Sequence, residues 1–371
     1  MAEMTTNTSP VRLEERAAMG GMRVAIATLD APKSLHALTL DMIRLLHGAL
    51  GRWAADPSIA CVVLQSSTDK SFCAGGDVRS LRDALLAQPD AMPNPVAQAF
   101  FSEEYRLDHR IHTYPKPVLV WGGGIVMGGG LGLMAGASHR VVTETTRIAM
   151  PEISIGLFPD VGGSWFLPRM PGRCGLFLGL TGAPLNAADA LFTRLADYFI
   201  AQQDRGNVID ALCQLDWAGP TDAGVTLDLV LRGFAGAADA LLASEARTHF
   251  DTIQAMTASR ALEDVVAAIV AYDGDAAWLQ RAAKTLAGGS PFSAALAWSL
   301  QERARHLGLA DAFRLELTVA LRCCAYPDFS EGVRALLIDK DNAPQWQLPD
   351  LHDIAQCFVA PWARNPLADL N

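Results

Sequence analysis

Two short runs limit the fold of this chain more than any other feature. "IACVVLQSS" (residues 59–67) and "KPVLVW" (116–121) are apolar without alternation. A strand that shows no alternation is buried on both faces, as in a parallel sheet covered by helices. "MRVAIATL" (22–29) reads the same way. Between these runs lies a helical pattern with Ile43, Leu46, Leu50 and Trp53 on one face, and then a polar, glycine-containing loop at 68–77. Residues 78–113 read as helical, broken near Pro89 to Pro95; beyond 121 come glycines, a short helix and the strand-like "HRVVTETTRIAM". Such alternation predicts an α/β protein. Past about residue 205 strand signals nearly vanish. Helical periodicity takes over, as in Phe292, Leu296 and Leu300 after Ser290-Pro291, and again over 311–324. "DRGN" (204–207) and "AGPTDAG" (218–224) supply turn signals, so the chain divides into a core over 17–210 and a helical region over 211–371.

The 371 residues are half hydrophobic and 19% charged, enough for a sizeable core. A net charge of -10 argues against nucleic acid as a partner. No apolar run reaches the roughly 18 residues of a spanning helix, so no membrane partner is expected. Seven cysteines without CxxC spacing read as reduced core thiols. The N-terminal "MAEMTTNTSPVRLEER" has no signal-peptide run and carries Glu14 and Glu15, which argue against an acid-poor transit peptide, and the expected location is the cytoplasm.

Three segments could carry chemistry. "SFCAGGD" (71–77) follows a buried strand; its glycines can bare main-chain N–H groups, while Asp77 can cap the next helix. "GGGIVMGGGLGLMAG" (122–136) holds eight glycines in fifteen residues. Each costs a helix interior about 1 kcal/mol against alanine, so the run signals close approach to a ligand or to a neighbouring strand. Gly130, Gly132 and Ala135 spell GxGxxA, but the strand ends well before them, at Trp121, and Leu131 stands where a P-loop needs lysine. "MPEISIGLFPDVGG" (150–163) places two acids on turns among apolar neighbours. Glu152 suits a partly desolvated acid or base; Asp160 suits that role or a helix cap. Glu104, Asp108 and His112 at i, i+4, i+8 have ligand chemistry, yet "SEEYRLDHRIH" reads as a solvated helix face, so no metal site is expected.

Taken together, these segments resemble the crotonase superfamily, also called enoyl-CoA hydratase/isomerase. "FFSEEYRLDHRI", "FPDVGGSWFLPRMPG" and "DFSEGVRALLIDKDNAPQW" narrow the likeness to the 3-hydroxyisobutyryl-CoA hydrolase branch. It runs from about residue 20 to 348. The resemblance implies ββα turns wound into a superhelix, followed by a C-terminal helical region. It implies an acyl-CoA substrate, with coenzyme A part of that substrate and no separate cofactor. It also implies homo-oligomers, trimers or dimers, as a possibility of the family.

By the same resemblance, the amides of Gly76 and Gly129 form an oxyanion hole, each donor worth on the order of 3 kcal/mol in comparable sites. Glu152 becomes the reactive carboxylate, either attacking the thioester to form an anhydride or activating water. Asp160 holds the substrate's 3-hydroxyl and Glu104 lines the acyl pocket. Lys33 is a phosphate contact, and Leu35, Ala37, Ala74 and Asp77 join the substrate-binding set. Two positions depart from the family. Gly132 stands where hydratases carry a second glutamate, which favours hydrolysis over hydration. His36 stands where asparagine is common. Three functions follow for comparison: a 3-hydroxyacyl-CoA hydrolase of valine breakdown, a hydratase or isomerase using the same hole, and a binding protein that kept only the fold.

Overall fold

The computed structural model describes residues 9–219, 221–236 and 241–371. Residues 1–8 of the N-terminal segment and Pro220 of the second turn signal lie outside the described residues.

Six strands form the main sheet: β1 (Val11–Ala17), β2 (Arg23–Leu29), β3 (Ile59–Ser66), β5 (Val118–Gly122), β7 (His139–Val142) and β9 (Tyr198–Phe199), in the order β1-β2-β3-β5-β7-β9. All neighbours are parallel except β1 against β2. A second, parallel sheet holds β4 (Ser71–Cys73), β6 (Ile125–Met127) and β8 (Arg147–Ala149). The chain climbs both sheets together. β3 and β4 lead to helix α2 (Val78–Ala87), and β5 and β6 lead to α4 (Gly129–Ala135). β7 and β8 lead to a 3-10 turn at Glu152–Ile155. This is the wound ββα repeat that the resemblance implied. Helix α1 (Leu40–Ala55) crosses from β2 to β3, and α3 (Pro95–His112) precedes β5.

The unalternating strands are apolar because both sheet faces are covered. Ala25, Ala27, Val62, Leu64, Val118 and Val120 point into the main core. Their neighbours Val24, Ile26, Cys61, Val63, Leu119 and Trp121 point the other way, onto Val208, Leu212, Leu227 and Leu231. Those four residues belong to the helices Arg205–Cys213 and Ala223–Phe234. The first of these helices runs through residue 210 and begins inside "DRGN", so that stretch is a helix start and not a turn between units. Beyond it, the helices Pro291–Ala304 and Leu309–Ala325 pack around the core, the latter against α3.

Four strands escaped the sequence reading: β1, β4, β6 inside the glycine run, and the two-residue β9. β1, "VRLEERA", is mostly exposed and charged. It is an edge strand, where charge discourages pairing with other chains, and so it lacks apolar patterning. It turns into β2 through Gly20 and Gly21, both at positive φ. β4 lies inside the stretch expected to be a loop at 68–77; three residues are too few to show a period.

The close seating of α4 on β4 fixes one testable expectation. A β-carbon at Gly130 would collide with the Cys73 carbonyl and lie 2.8 Å from its β-carbon. Gly130→Ala therefore lowers stability by about 1–3 kcal/mol, the usual cost of overpacking, read as a lower urea midpoint with unchanged m.

Candidate active site

A cavity of about 650 Å³ opens where the two sheets, α2, α3 and the C-terminal region meet. All ten residues expected at the site line it: Lys33, Leu35, Ala37, Ala74, Gly76, Asp77, Glu104, Gly129, Glu152 and Asp160.

The main-chain donors come from two glycine segments. Leu38 bonds to the residues flanking Gly76, giving its N–H to the Gly75 carbonyl and accepting from Asp77 N–H, both at 2.8 Å. That bridge leaves the Gly76 amide turned away from Leu38, and no acceptor meets it among the described residues. Gly129 is the first residue of α4, so its amide has no partner within the helix. A β-carbon at Gly129 would lie 3.5 Å from the Gly76 nitrogen and would collide with Glu104 Oε1. At Gly76 a β-carbon would lie 3.0 Å from the Phe100 ring, so space is tight at both glycines. Gly75 and Gly128, at φ +115° and +47°, are required by conformation.

The acids approach this point from different elements. Glu152 opens the 3-10 turn after β8 and is 4% exposed. A β-carbon at Gly128 would sit 3.0 Å from its Oε1, and its Oε2 has no partner among the described residues. Asp160, also 4% exposed, accepts a 2.6 Å hydrogen bond from the Tyr105 hydroxyl of α3. It does not cap the helix Gly163–Phe166 with its side chain; its carbonyl accepts from Gly163 N–H. Asp77 does cap α2, accepting from Ser80 N–H at 3.2 Å and from the Ser80 hydroxyl at 2.6 Å.

The expectation that Glu104, Asp108 and His112 form a solvated face is corrected. Glu104 and Asp108 are buried, and Glu104 Oε1 and both Asp108 oxygens lack partners among the described residues. Solvent meets instead Glu103, which pairs with Arg44, and Arg106, which pairs with Asp369. The misreading arose because charged residues occupy both faces of α3, so a charge pattern could not tell them apart.

Burial governs the electrostatics. It pushes Glu104 and Glu152 well above the ordinary glutamate value, and mutual repulsion with Asp160 adds to this. Asp108 moves in the same direction, by burial and the nearby Glu104. Asp160 rises to about 6 by burial, held back by the Tyr105 hydroxyl. No cationic side chain pairs with these acids among the described residues. A carboxylate in such a place keeps its proton longer, or reacts as a strong base or nucleophile when it loses it.

At the mouth Lys33 is exposed, on a loop stiffened by His36. His36 takes a left-handed φ of 58°; its Nδ1 accepts from Ala31 N–H at 3.0 Å and its Nε2 donates to Thr68 Oγ1 at 2.9 Å. The departure at this position is thus a loop brace. Sequence reasoning missed Arg79, a second exposed cation at the mouth, although it lies only two residues past Asp77. It also missed Leu336 and Leu337, which line the cavity from a π-helical turn at Arg334–Ile338. Glu316, from the helix Leu309–Ala325, was missed too. It accepts from Gly162 N–H at 2.8 Å, from Ser164 N–H at 2.9 Å and from the Ser164 hydroxyl.

The raised acids bear on stability. A carboxyl whose folded pKa exceeds its unfolded one binds more protons in the native state, so stability falls as pH rises above the unfolded value. For Glu104 that fall begins near the ordinary 4.5 and continues up to its raised folded pKa. Glu104→Gln removes the penalty. Its melting temperature should exceed the parent's at pH 8 and approach it at pH 4, measured by calorimetry.

Comparison with known proteins places this geometry. A family model described as enoyl-CoA hydratase/isomerase matches residues 24–362. The chain is 37% identical over 337 residues to a mitochondrial 3-hydroxyisobutyryl-CoA hydrolase of Danio rerio, covering 91% of this chain and 86% of that one. It is 33% identical to the protein of that name from Homo sapiens, covering 96% and 89%. A solved carnitinyl-CoA dehydratase from Mycobacterium thermoresistibile superposes with a TM-score of 0.85 at 31% identity, over 98% of this chain and 99% of that one. An enoyl-CoA hydratase from Rhodobacter sphaeroides 2.4.1 gives 0.80 at 32%, over 95% and 98%. The expectation of a cytoplasmic protein does not stand, because these hydrolase relatives are mitochondrial. Free thiols fit any reducing compartment, and so they could not choose between the two. With the match over most of its length, the two-sheet ββα core and the paired glycine segments, the chain belongs to the enoyl-CoA hydratase/isomerase family, the crotonases, and falls among their 3-hydroxyisobutyryl-CoA hydrolase relatives.

Proposed function

We propose that this protein hydrolyses a short 3-hydroxyacyl-CoA thioester, 3-hydroxyisobutyryl-CoA above others, to the free hydroxy acid and coenzyme A, a step of valine breakdown. The carrying observation is the crowding at Gly132. A β-carbon there would lie 2.7 Å from Val161 Cβ and 2.9 Å from Asp108 Oδ2. Adding water across a double bond benefits from two carboxylates on that water, and this site has no room for one at 132. What faces the glycines is Glu152, with Asp160 as its neighbour.

In this reading the thioester oxygen accepts from the Gly76 and Gly129 amides, which are fixed before charge develops on it. Glu152 then acts by one of two routes. It attacks the carbonyl carbon and expels the thiolate, leaving an anhydride that water cleaves; or it takes a proton from water as that water attacks, and passes the proton to the departing sulfur. Asp160 accepts from the 3-hydroxyl while Tyr105 fixes its orientation. Lys33 and Arg79 offer positive charge to the phosphates, and Leu35, Ala37 and Ala74 line the path between.

A second reading, hydration of an enoyl-CoA at the same hole, draws support from the hydratase and dehydratase names of the two similar structures. Incubation with 3-hydroxyisobutyryl-CoA and with crotonyl-CoA separates the two: free thiol from the first compound supports hydrolysis, while loss of the enoyl absorbance without thiol supports hydration.

Three outcomes follow from hydrolysis. Glu152→Gln lowers kcat by about 10³-fold or more, the range for losing a nucleophile or base, with an unchanged circular dichroism spectrum. Asp160→Ala lowers kcat/KM for 3-hydroxyisobutyryl-CoA by about tenfold or more and that for isobutyryl-CoA far less, since only the first has a hydroxyl to lose. The reaction needs Glu152 ionised, and its folded pKa is raised, so kcat/KM climbs with pH on a limb well above the ordinary 4.5.

A further inference from the structure

The segment after Asp160 is held in an unusual shape. Val161 has φ +50°, a left-handed conformation that costs a β-branched residue of the order of 1–3 kcal/mol. Such a residue persists only where its surroundings over-determine it. Here the surroundings are Glu316. This side chain is fully buried and takes three hydrogen bonds, two from backbone amides and one from a hydroxyl, all in the segment Gly162–Ser164. Phe313, one turn earlier on the same helix, backs the turn: a β-carbon at Gly162 would lie 3.3 Å from its ring. Phe313 also packs on Tyr105, with ring centroids 5.8 Å apart, and Tyr105 grips Asp160.

The turn does two things at once. It aims the Asp160 carboxyl into the cavity, and it presses Val161 against Gly132. We propose that Glu316 is a positioning residue for substrate selection: by pinning Gly162 and Ser164 it enforces the left-handed Val161 turn, and so sets Asp160 where it recognises a hydroxyl on the acyl chain. The inference rests on the hydrolase reading and extends it to a residue some 150 positions away in sequence, outside the cavity lining.

The chemistry at this position is specific to a carboxylate. Three donors meet two oxygens. Glutamine offers one oxygen and turns its amide nitrogen, itself a donor, towards one of those N–H groups. Glu316→Gln is therefore close in size but loosens the turn.

The measurement is the ratio of kcat/KM for 3-hydroxyisobutyryl-CoA to that for isobutyryl-CoA, followed by thiol release. The two thioesters share a carbon skeleton and differ by the hydroxyl. In Glu316→Gln the ratio should fall about tenfold, the scale of one lost, well-placed hydrogen bond. Ser164→Ala, which removes one of the three donors and keeps the carboxylate, should lower the ratio by a smaller factor; it serves if Glu316→Gln fails to fold. In an Asp160→Ala background, Glu316→Gln should leave the ratio where it stands, because the effect acts through Asp160. A merely structural Glu316 lowers both rates by one factor, and an unchanged ratio in the folded variants overturns the inference. A wild-type protein that releases thiol from neither compound overturns the hydrolase reading, and this inference with it. Wild-type hydrolysis with no hydroxyl preference overturns the inference and the role given to Asp160, while leaving thioester hydrolysis itself standing.

Discussion

The structure is organised around buried carboxyl groups that no cationic side chain pairs with among the described residues. Glu104, Glu152 and Asp160 line one cavity, Asp108 is buried beside Gly132, and outside the lining lies Glu316, pushed up to about 8 by burial against its own donors. Burying a carboxylate unpaired costs several kcal/mol, which is why it seldom happens away from a working site. Each acid meets that cost differently. Asp160 has a tyrosine donor, Glu316 has three donors, and Glu104, Asp108 and Glu152 retain oxygens with none among the described residues. Of these, Glu104 and Glu152 lie beside the two glycine segments, where a bound thioester would bring polar atoms.

The rest of the fold serves this arrangement. The two sheets advance in step, so the turns after β4 and β6 arrive side by side and their glycines meet. The main sheet, covered on both faces, is stiff enough to hold those turns. The C-terminal helices then close the back of the site and supply Glu316, Leu336 and Leu337. The cavity walls thus come from both halves of the chain, and a cut near residue 210 would pass through a helix that covers the sheet.

Much of this was legible in the residues. The strands β2, β3 and β5 declared themselves because burial on both faces removes alternation, and the glycine run declared itself because so many glycines are hard to explain otherwise. β1 and β4 were hidden, one by its charged edge and the other by its three-residue length. The face of α3 was misread because an acid in a sequence looks solvated unless something marks it as enclosed, and only packing supplies that mark. Arg79 stood beside a chosen residue and could have been found; Glu316 carried no local signal at all.

The chain alone determined the α/β class of the fold, the two glycine segments and the pair Glu152 and Asp160, because these depend on hydrophobic pattern, backbone freedom and charge, which are written residue by residue; Glu104 entered only through the family resemblance. The tertiary structure decided how those acids are held. Whether a carboxylate is ionised, which donors it meets, and whether position 132 has space for another side chain depend on atoms far apart in sequence. Glu316 and Gly162, or Val161 and Gly132, become neighbours only once the helices have docked, and no local pattern encodes a distance between them.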